Sequence, residues 1–198
     1  KMFYVSGDII YGNRSYFTVR QNLLPERWNY ISSPVNQARA LVYSMRNTEN
    51  ETWLMKYNTG VVSKHGDHWS EYLVDPNLIL QPGIGYAVYT HENLDVKYEG
   101  ILCNSNTTVS LTSKNNDKWN LVGNPFSYNI NWSTDVRLVG VDAGYAVVGR
   151  DGGYKYMTDG VIKVGEGFMI HSSMGKNHNI TFQKGINSSK RDNINSVN

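Results

Sequence analysis

The sequence predicts an all-β protein built from two tandem, internally duplicated antiparallel β-sandwich or barrel-like modules, and three observations lead there. Two ordered blocks of sequence recur, one early and one late in each half. The composition favours strands and turns over surface helices: charged residues make up 18 % against a usual ~25 %, while Tyr (14) and Gly (18) are abundant and asparagine is frequent. Helical periodicity is confined to one short segment.

Self-similarity at a fixed spacing decides architecture before any local pattern does. Glu26-Arg27-Trp28-Asn29-Tyr30-Ile31-Ser32-Ser33-Pro34-Val35 matches Asp117-Lys118-Trp119-Asn120-Leu121-Val122-Gly123-Asn124-Pro125-Phe126 in character, position by position, 91 residues further on. Leu80-Gln81-Pro82-Gly83-Ile84-Gly85-Tyr86-Ala87-Val88-Tyr89 matches Ile162-Lys163-Val164-Gly165-Glu166-Gly167-Phe168-Met169-Ile170-His171, displaced by 82. A weaker element, an aromatic shortly before a glycine, recurs at Tyr4 to Gly7, Tyr98 to Gly100 and Phe182 to Gly185. Copy one is therefore placed at 1–97, copy two at 98–186, and the polar, aperiodic stretch 187–198 reads as a linker or tail.

Taken in order, Tyr16 to Arg20 alternates as a strand, and the first block reads as a mostly buried strand ended by Pro34, with Trp28 and Trp119 in the core. Asn36 to Arg46 is the one candidate helix, with Ala38, Leu41, Val42 and Met45 on one face. Thr52 to Tyr57 and Trp69 to Val74 read as strands, with a turn at Asn58-Thr59-Gly60. The Gly-x-Gly block reads as a tight turn whose glycines take positive φ, feeding a strand with Tyr86 and Val88 on one face and Ala87 and Tyr89 on the other. Asp95 to Leu102, Thr107 to Leu111 and Asn179 to Gln183 alternate with period two. Tyr145 to Gly149 and Gly153 to Met157 form a hairpin, because Asp151-Gly152 suits the primed turns that match strand twist.

These blocks resemble a repeat found in large secreted and cell-surface proteins of Bacteroidetes. The residues that carry the likeness are Trp119 to Phe126, then Ile130-Asn131-Trp132, Val164 to Ile170 and Ile180-Thr181-Phe182, with a more divergent version in Trp28 to Val35 and Pro82 to Tyr86. The family pattern is approximately G-W-N-L-V-G-N-P-Y-P, I-D-W, P-G-Q-G-F-F-V and an apolar-T-F strand. Many of its members look like cargo of the type IX secretion system. The resemblance implies location and architecture, and brings no catalytic residues with it. Glu166 and Val164 depart from the pattern, where Gln and Pro are frequent.

Several function classes find no support in the residues. The net charge of +2 is spread along the chain without a basic stripe, which argues against a nucleic-acid partner. No apolar run approaches the ~20 residues of a membrane span, so direct membrane insertion is not expected. The start at Lys1-Met2-Phe3 lacks a signal-peptide pattern, and the chain reads as an internal piece of something longer. Cys103 is the only cysteine, which leaves no internal disulfide. His65-Gly66-Asp67-His68 offers at most three ligands in a glycine-containing connection, so no metal is expected there. His171 and Ser172 are adjacent on a strand and face opposite ways, and no nucleotide fingerprint opens a helix, so neither catalysis nor a cofactor is expected. The Asn-x-Ser/Thr sequences at Asn13, Asn50, Asn106, Asn131, Asn179 and Asn187 follow from the asparagine content.

The expectation is a non-enzymatic structural or adhesive segment of an extracellular or outer-surface bacterial protein. Its partners would be other domains of the same polypeptide and a surface glycan or cell-surface protein. The alternative is a carbohydrate-binding module of a secreted glycan-active protein. Trp53, Trp69, Trp132, Tyr154 and Tyr156 are the residues able to stack on sugar faces.

Overall fold

The computed structural model describes residues 5–8, 16–40, 52–75, 77–149, 151–173 and 178–185. Repeat one supplies β1 (Val5–Asp8), β2 (Tyr16–Leu23), β3 (Arg27–Ser32), β4 (Val35–Asn36), β5 (Thr52–Met55), β6 (Gly85–Thr90) and β7 (Leu94–Leu102). Repeat two supplies β8 (Thr107–Ser110), β9 (Trp119–Gly123), β10 (Ile130–Asn131), the single helical turn α1 (Trp132–Asp135), β11 (Val136–Val139), β12 (Val141–Val148), β13 (Tyr154–Met157), β14 (Val161–Ile162), β15 (Gly167–Ser172) and β16 (Asn179–Phe182). Among the described residues all strand pairs are antiparallel, and no sheet closes into a barrel. The all-β, sandwich-like class expected from the sequence is the one observed.

Each repeat is two sheets face to face. In repeat one an outer sheet, β1-β2-β7-β4, covers an inner sheet, β3-β6-β5. In repeat two the outer sheet is β11-β16-β8 and the inner one β13-β12-β15-β9, with β10 and β14 as a separate ribbon. Alternation drives the packing: along β7, Val96, Tyr98 and Gly100 are buried while Asp95, Lys97 and Glu99 are exposed. The two cores are separate, with Val19, Ile31, Leu54, Val88 and Tyr98 in one and Val122, Phe126, Phe168, Ile170 and Phe182 in the other.

The equivalent strands of the two repeats follow one order, β3-β6-β5 matching β9-β15-β12 and β2-β7-β4 matching β8-β16-β11, and the register of the central ladder is shared as well. Trp28 stands opposite Tyr89 and Ser32 opposite Gly85; Trp119 stands opposite His171 and Gly123 opposite Gly167. Leu54 opposite Val88 corresponds in the same way to Tyr145 opposite Ile170. The repeated asparagine has one job in both places. Asn29 exchanges two hydrogen bonds with the backbone of Leu24 (3.0 and 3.2 Å), and Asn120 exchanges two with that of Thr112 (both 2.9 Å). Each amide thereby ties its strand to the chain arriving from the outer sheet.

The second block joins the repeats. The Ser32 N–H donates to the Gly165 carbonyl (3.0 Å), and the Gly123 N–H donates to the Gly83 carbonyl (3.1 Å). With the repeats interchanged these are the same bond, so the halves are related by a pseudo-two-fold axis and meet through a self-complementary contact. Bridges Ile31–Glu166 and Ile84–Val122 form a second such pair. Val164 is buried in the core of repeat one, and Ile84 packs against that of repeat two. Gly83 and Gly165 have positive φ (83° and 70°), as expected of a turn. Gly85 and Gly167 do not; they are glycine because backbone lies against them. A Cβ on Gly85 would stand 2.7 Å from the Val122 oxygen, and one on Gly167 2.7 Å from the Ile31 oxygen.

Four further expectations change. Residues 36–40 are not helical: β4, the positive φ of Gln37 (68°) and the Arg39–Ile79 bridge make them extended, with Ala38 and Ala40 exchanging backbone bonds with Leu80 and Leu78. The rest of that segment, 41–46, and the tail 187–198 lie outside the described residues. Trp69 to Val74 is an irregular excursion with one bridge, Tyr57–Trp69. Trp28 and Trp119 are half-buried on the face of the inner sheets turned away from the sandwich cores, because alternation gives the core-facing places to Asn29, Ile31, Asn120 and Val122. The junction expected after Lys97 falls inside β7, which stays in the outer sheet of repeat one through Leu102.

Gly167→Ala should destabilise the protein by about 1–3 kcal/mol, the usual cost of overpacking, in a urea titration. Phe168→Ala should cost about 3–5 kcal/mol. Trp28→Ala and Trp119→Ala should each fall below that, since both residues are only partly buried.

Candidate functional site

The outward faces of the two inner sheets meet at the pseudo-axis and diverge from it. β3 contributes Trp28 and Tyr30 to this face, β6 Ala87 and Tyr89, and β5 Trp53 and Met55. Across the junction β9 contributes Trp119 and Leu121, β15 Met169 and His171, β12 Ala146 and Val148, and β13 Tyr154 and Tyr156. Near the axis Leu121, Ala146 and Met169 are buried, with Tyr30, Tyr57, Trp69 and Trp119 packed on them. Further out the faces separate into an aromatic cleft.

Two cavities make up the cleft. One, of about 460 Å³, is lined by Trp28, Tyr30, Met55, His65, Asp67, Trp69, Tyr72, Ala87, Val148, Gly152 and Tyr154. The other, of about 370 Å³, is lined by Tyr57, Trp119, Ala146, Tyr154, Tyr156 and Met169. Tyr154 belongs to both. It stands at the start of β13, 62 % exposed, and its hydroxyl is 2.6 Å from that of Tyr30. Burial, and then the Tyr154 hydroxyl, push the Tyr30 phenol well above its ordinary range, so Tyr30 is a neutral donor and acceptor at any physiological pH.

One wall is the excursion between β5 and β6. It turns at Asn58 to Val61, where Gly60 has φ 69°, and returns through Asn58 N–H to His68 carbonyl (2.8 Å) and Ser70 N–H to Lys56 carbonyl (2.9 Å). Asp117 of repeat two anchors it. That carboxylate is buried and accepts from the Tyr57 hydroxyl (3.2 Å), Gly60 N–H (2.8 Å) and Trp119 N–H (3.0 Å), with His68 Nδ1 at 3.5 Å. Burial, reinforced by Asp117, raises the Tyr57 phenol, keeping it protonated as the donor this contact needs. Asp67 is held below the usual carboxylate range by the Ser63 hydroxyl and the Trp69 N–H.

Of the stacking residues expected from sequence, Trp69, Tyr154 and Tyr156 come together here. Trp53 is on the same face but outside both cavities, with its ring against Tyr89 (5.1 Å) and Tyr72 (5.6 Å). Trp132 is a core residue, 5 % exposed, between Tyr145 and Phe168, with its indole N–H donating to the Ala143 carbonyl (3.2 Å). The sequence reasoning missed Trp28, Tyr30, Tyr57 and Trp119. Strict alternation along the W-N blocks was the available signal, because it sets Trp28 with Tyr30 and Trp119 with Leu121 opposite the core.

Other polar groups do not converge. His171 bonds Asp142 (2.7 Å) and meets the Trp119 ring edge-on, while Ser172 is buried on the opposite face of β15 beside Asn120. Among the described residues no three His, Cys, Asp or Glu side chains are grouped as a metal site would require. A more open cavity of about 720 Å³ lies between β2–β3 and the β12 and Lys163–Gly167 segments. Its pseudo-symmetric counterpart, about 300 Å³, is lined on one side by Lys56 to Thr59. Among the described residues Tyr30 is the only aromatic lining the larger one, which therefore offers less stacking surface than the cleft.

No protein-family model, no curated protein and no solved structure matches the chain. Fold and site together define a duplicated all-β sandwich protein with an aromatic cleft between its repeats.

Burial raises the Cys103 thiol to about 11. At pH 8 a disulfide reagent should therefore modify Cys103 on the order of a hundredfold more slowly in the native chain than after denaturation, in a colorimetric thiol assay.

Proposed function

We propose that the chain is a non-enzymatic adhesive segment of a larger secreted or cell-surface bacterial protein, and that it adheres by holding carbohydrate in the aromatic cleft. The observation that carries this reading is the convergence of Trp28, Tyr30, Tyr57, Trp69, Trp119, Tyr154 and Tyr156 on one cleft built from both repeats. Such rings offer large, rigid contact area at low entropic cost, and their faces suit the C–H side of a pyranose ring. Phenol hydroxyls, Asp67 and His65 lie among them and suit the hydroxyl edge. The extracellular setting rests on the resemblance to Bacteroidetes surface repeats, and the remaining partners would be neighbouring domains of the same polypeptide.

A glycan array probed with the whole chain tests the reading. Saturable binding to at least one glycan is expected, weakened about tenfold or more by Trp69→Ala, the scale of roughly 1.4 kcal/mol for losing one good ring contact. Trp53→Ala should bind as the parent does. An array without signal would leave a purely structural spacer, and binding indifferent to Trp69→Ala would place the ligand elsewhere.

A further inference from the structure

We infer that the cleft takes a run of consecutive neutral pyranose units lying across Tyr154, not a single terminal sugar. This deepens the carbohydrate reading and rests on it. The two cavities, about 460 and 370 Å³, each fall within the size range of a small-ligand site. They are not separate sites, because they share Tyr154 as a wall. The opposite wall is continuous as well: Trp69 in the first cavity and Tyr57 in the second stand edge to face at 5.2 Å. Rings therefore follow one another along the cleft, Trp69 and Tyr30 on one side of Tyr154, Tyr57 and Trp119 on the other.

Tyr154 is suited to be crossed by a ligand. It is 62 % exposed on a hairpin from repeat two, yet its hydroxyl is fixed by Tyr30 of repeat one at 2.6 Å, so the ring is held in place with its surface still available. A ligand confined to one cavity would leave the other set of rings wet. Among the described residues the second cavity is lined by rings, Met169 and Ala146 with no charged side chain, which matches a neutral chain. The first cavity adds His65 and Asp67. Asp67 uses Oδ1 for both Ser63 and Trp69, and its Oδ2 accepts no hydrogen bond among the described residues. That oxygen is an acceptor for a sugar hydroxyl at one end of the run, and gives the chain a direction.

The test is calorimetric titration of the whole chain with linear β-1,4-linked glucose, mannose and N-acetylglucosamine oligomers of one to six units, and with a polyproline peptide. The expected result is that in at least one series affinity rises by tenfold or more between one unit and four. Tyr154→Ala should remove that gain while the chain still melts in one cooperative transition well above the titration temperature, and Tyr154→Phe, which keeps the ring, should retain most of it. A monosaccharide that binds as tightly as its oligomers would overturn the inference and leave the carbohydrate reading standing. Binding of the polyproline peptide alone, or of none of the ligands, would overturn both.

Discussion

The arrangement depends on one constraint: at two equivalent places the backbone of one repeat lies against that of the other with no room for a side chain. Gly85 packs on Leu121 and Val122, and Gly167 on Tyr30 and Ile31. Main-chain atoms stand against both glycines, joined at Gly85 by the Leu121 side chain, so a Cβ at either place would have to displace backbone. The hydrogen bonds from Ser32 and Gly123 then fix the approach in both directions at once. The halves have separate cores, yet each carries a loop that the other's inner sheet needs. The relative placement of the inner sheets is what forms the cleft, so the cleft follows from the glycines.

Near the axis the two-fold relation holds closely, and away from it the relation breaks down. Tyr30 corresponds to Leu121 and Tyr89 to His171, so at these places one face carries a phenol ring where its mate is aliphatic or an imidazole. After the equivalent strands β5 and β12, repeat one makes the long excursion through Trp69, whereas repeat two turns back at Asp151-Gly152 into β13. The carboxylates Glu26 and Asp117 also diverge. Glu26 is exposed and binds Tyr89 and His91, while Asp117 is buried and ties down the excursion. Duplication supplies a symmetric scaffold, and these differences turn its junction into a one-sided recognition surface.

Much of the scaffold was legible because its signals are local and repeated. The W-N and Gly-x-Gly blocks gave the equivalent strands, the Asp-Gly pair gave the β12–β13 hairpin, and alternation gave β7, β8 and β16. What the sequence did not disclose depends on packing between distant segments. Gly85 and Gly167 look like turn glycines, and only the opposing backbone reveals them as contact glycines. Trp132 and Trp69 are equally plausible as surface rings in sequence; one fills a core beside Phe168 and the other lines the cleft. The helical pattern of 36–40 lost to tertiary pairing, since Ala38 and Ala40 find backbone partners near Leu78. The place of Trp28 and Trp119 in the block points to the core, but the core-facing positions of those strands belong to their neighbours.

The central claim is that exchange of the glycine loops makes the repeats one cooperative body that holds the cleft. Native-state hydrogen exchange at increasing denaturant measures it most directly, at the amides of Ser32 and Gly123, whose acceptors lie in the opposite repeat. The account predicts that both amides exchange through a single opening with the same free energy as global unfolding. Two separable openings, with Ser32 following β3–β6 and Gly123 following β9–β15 at different free energies, would contradict it.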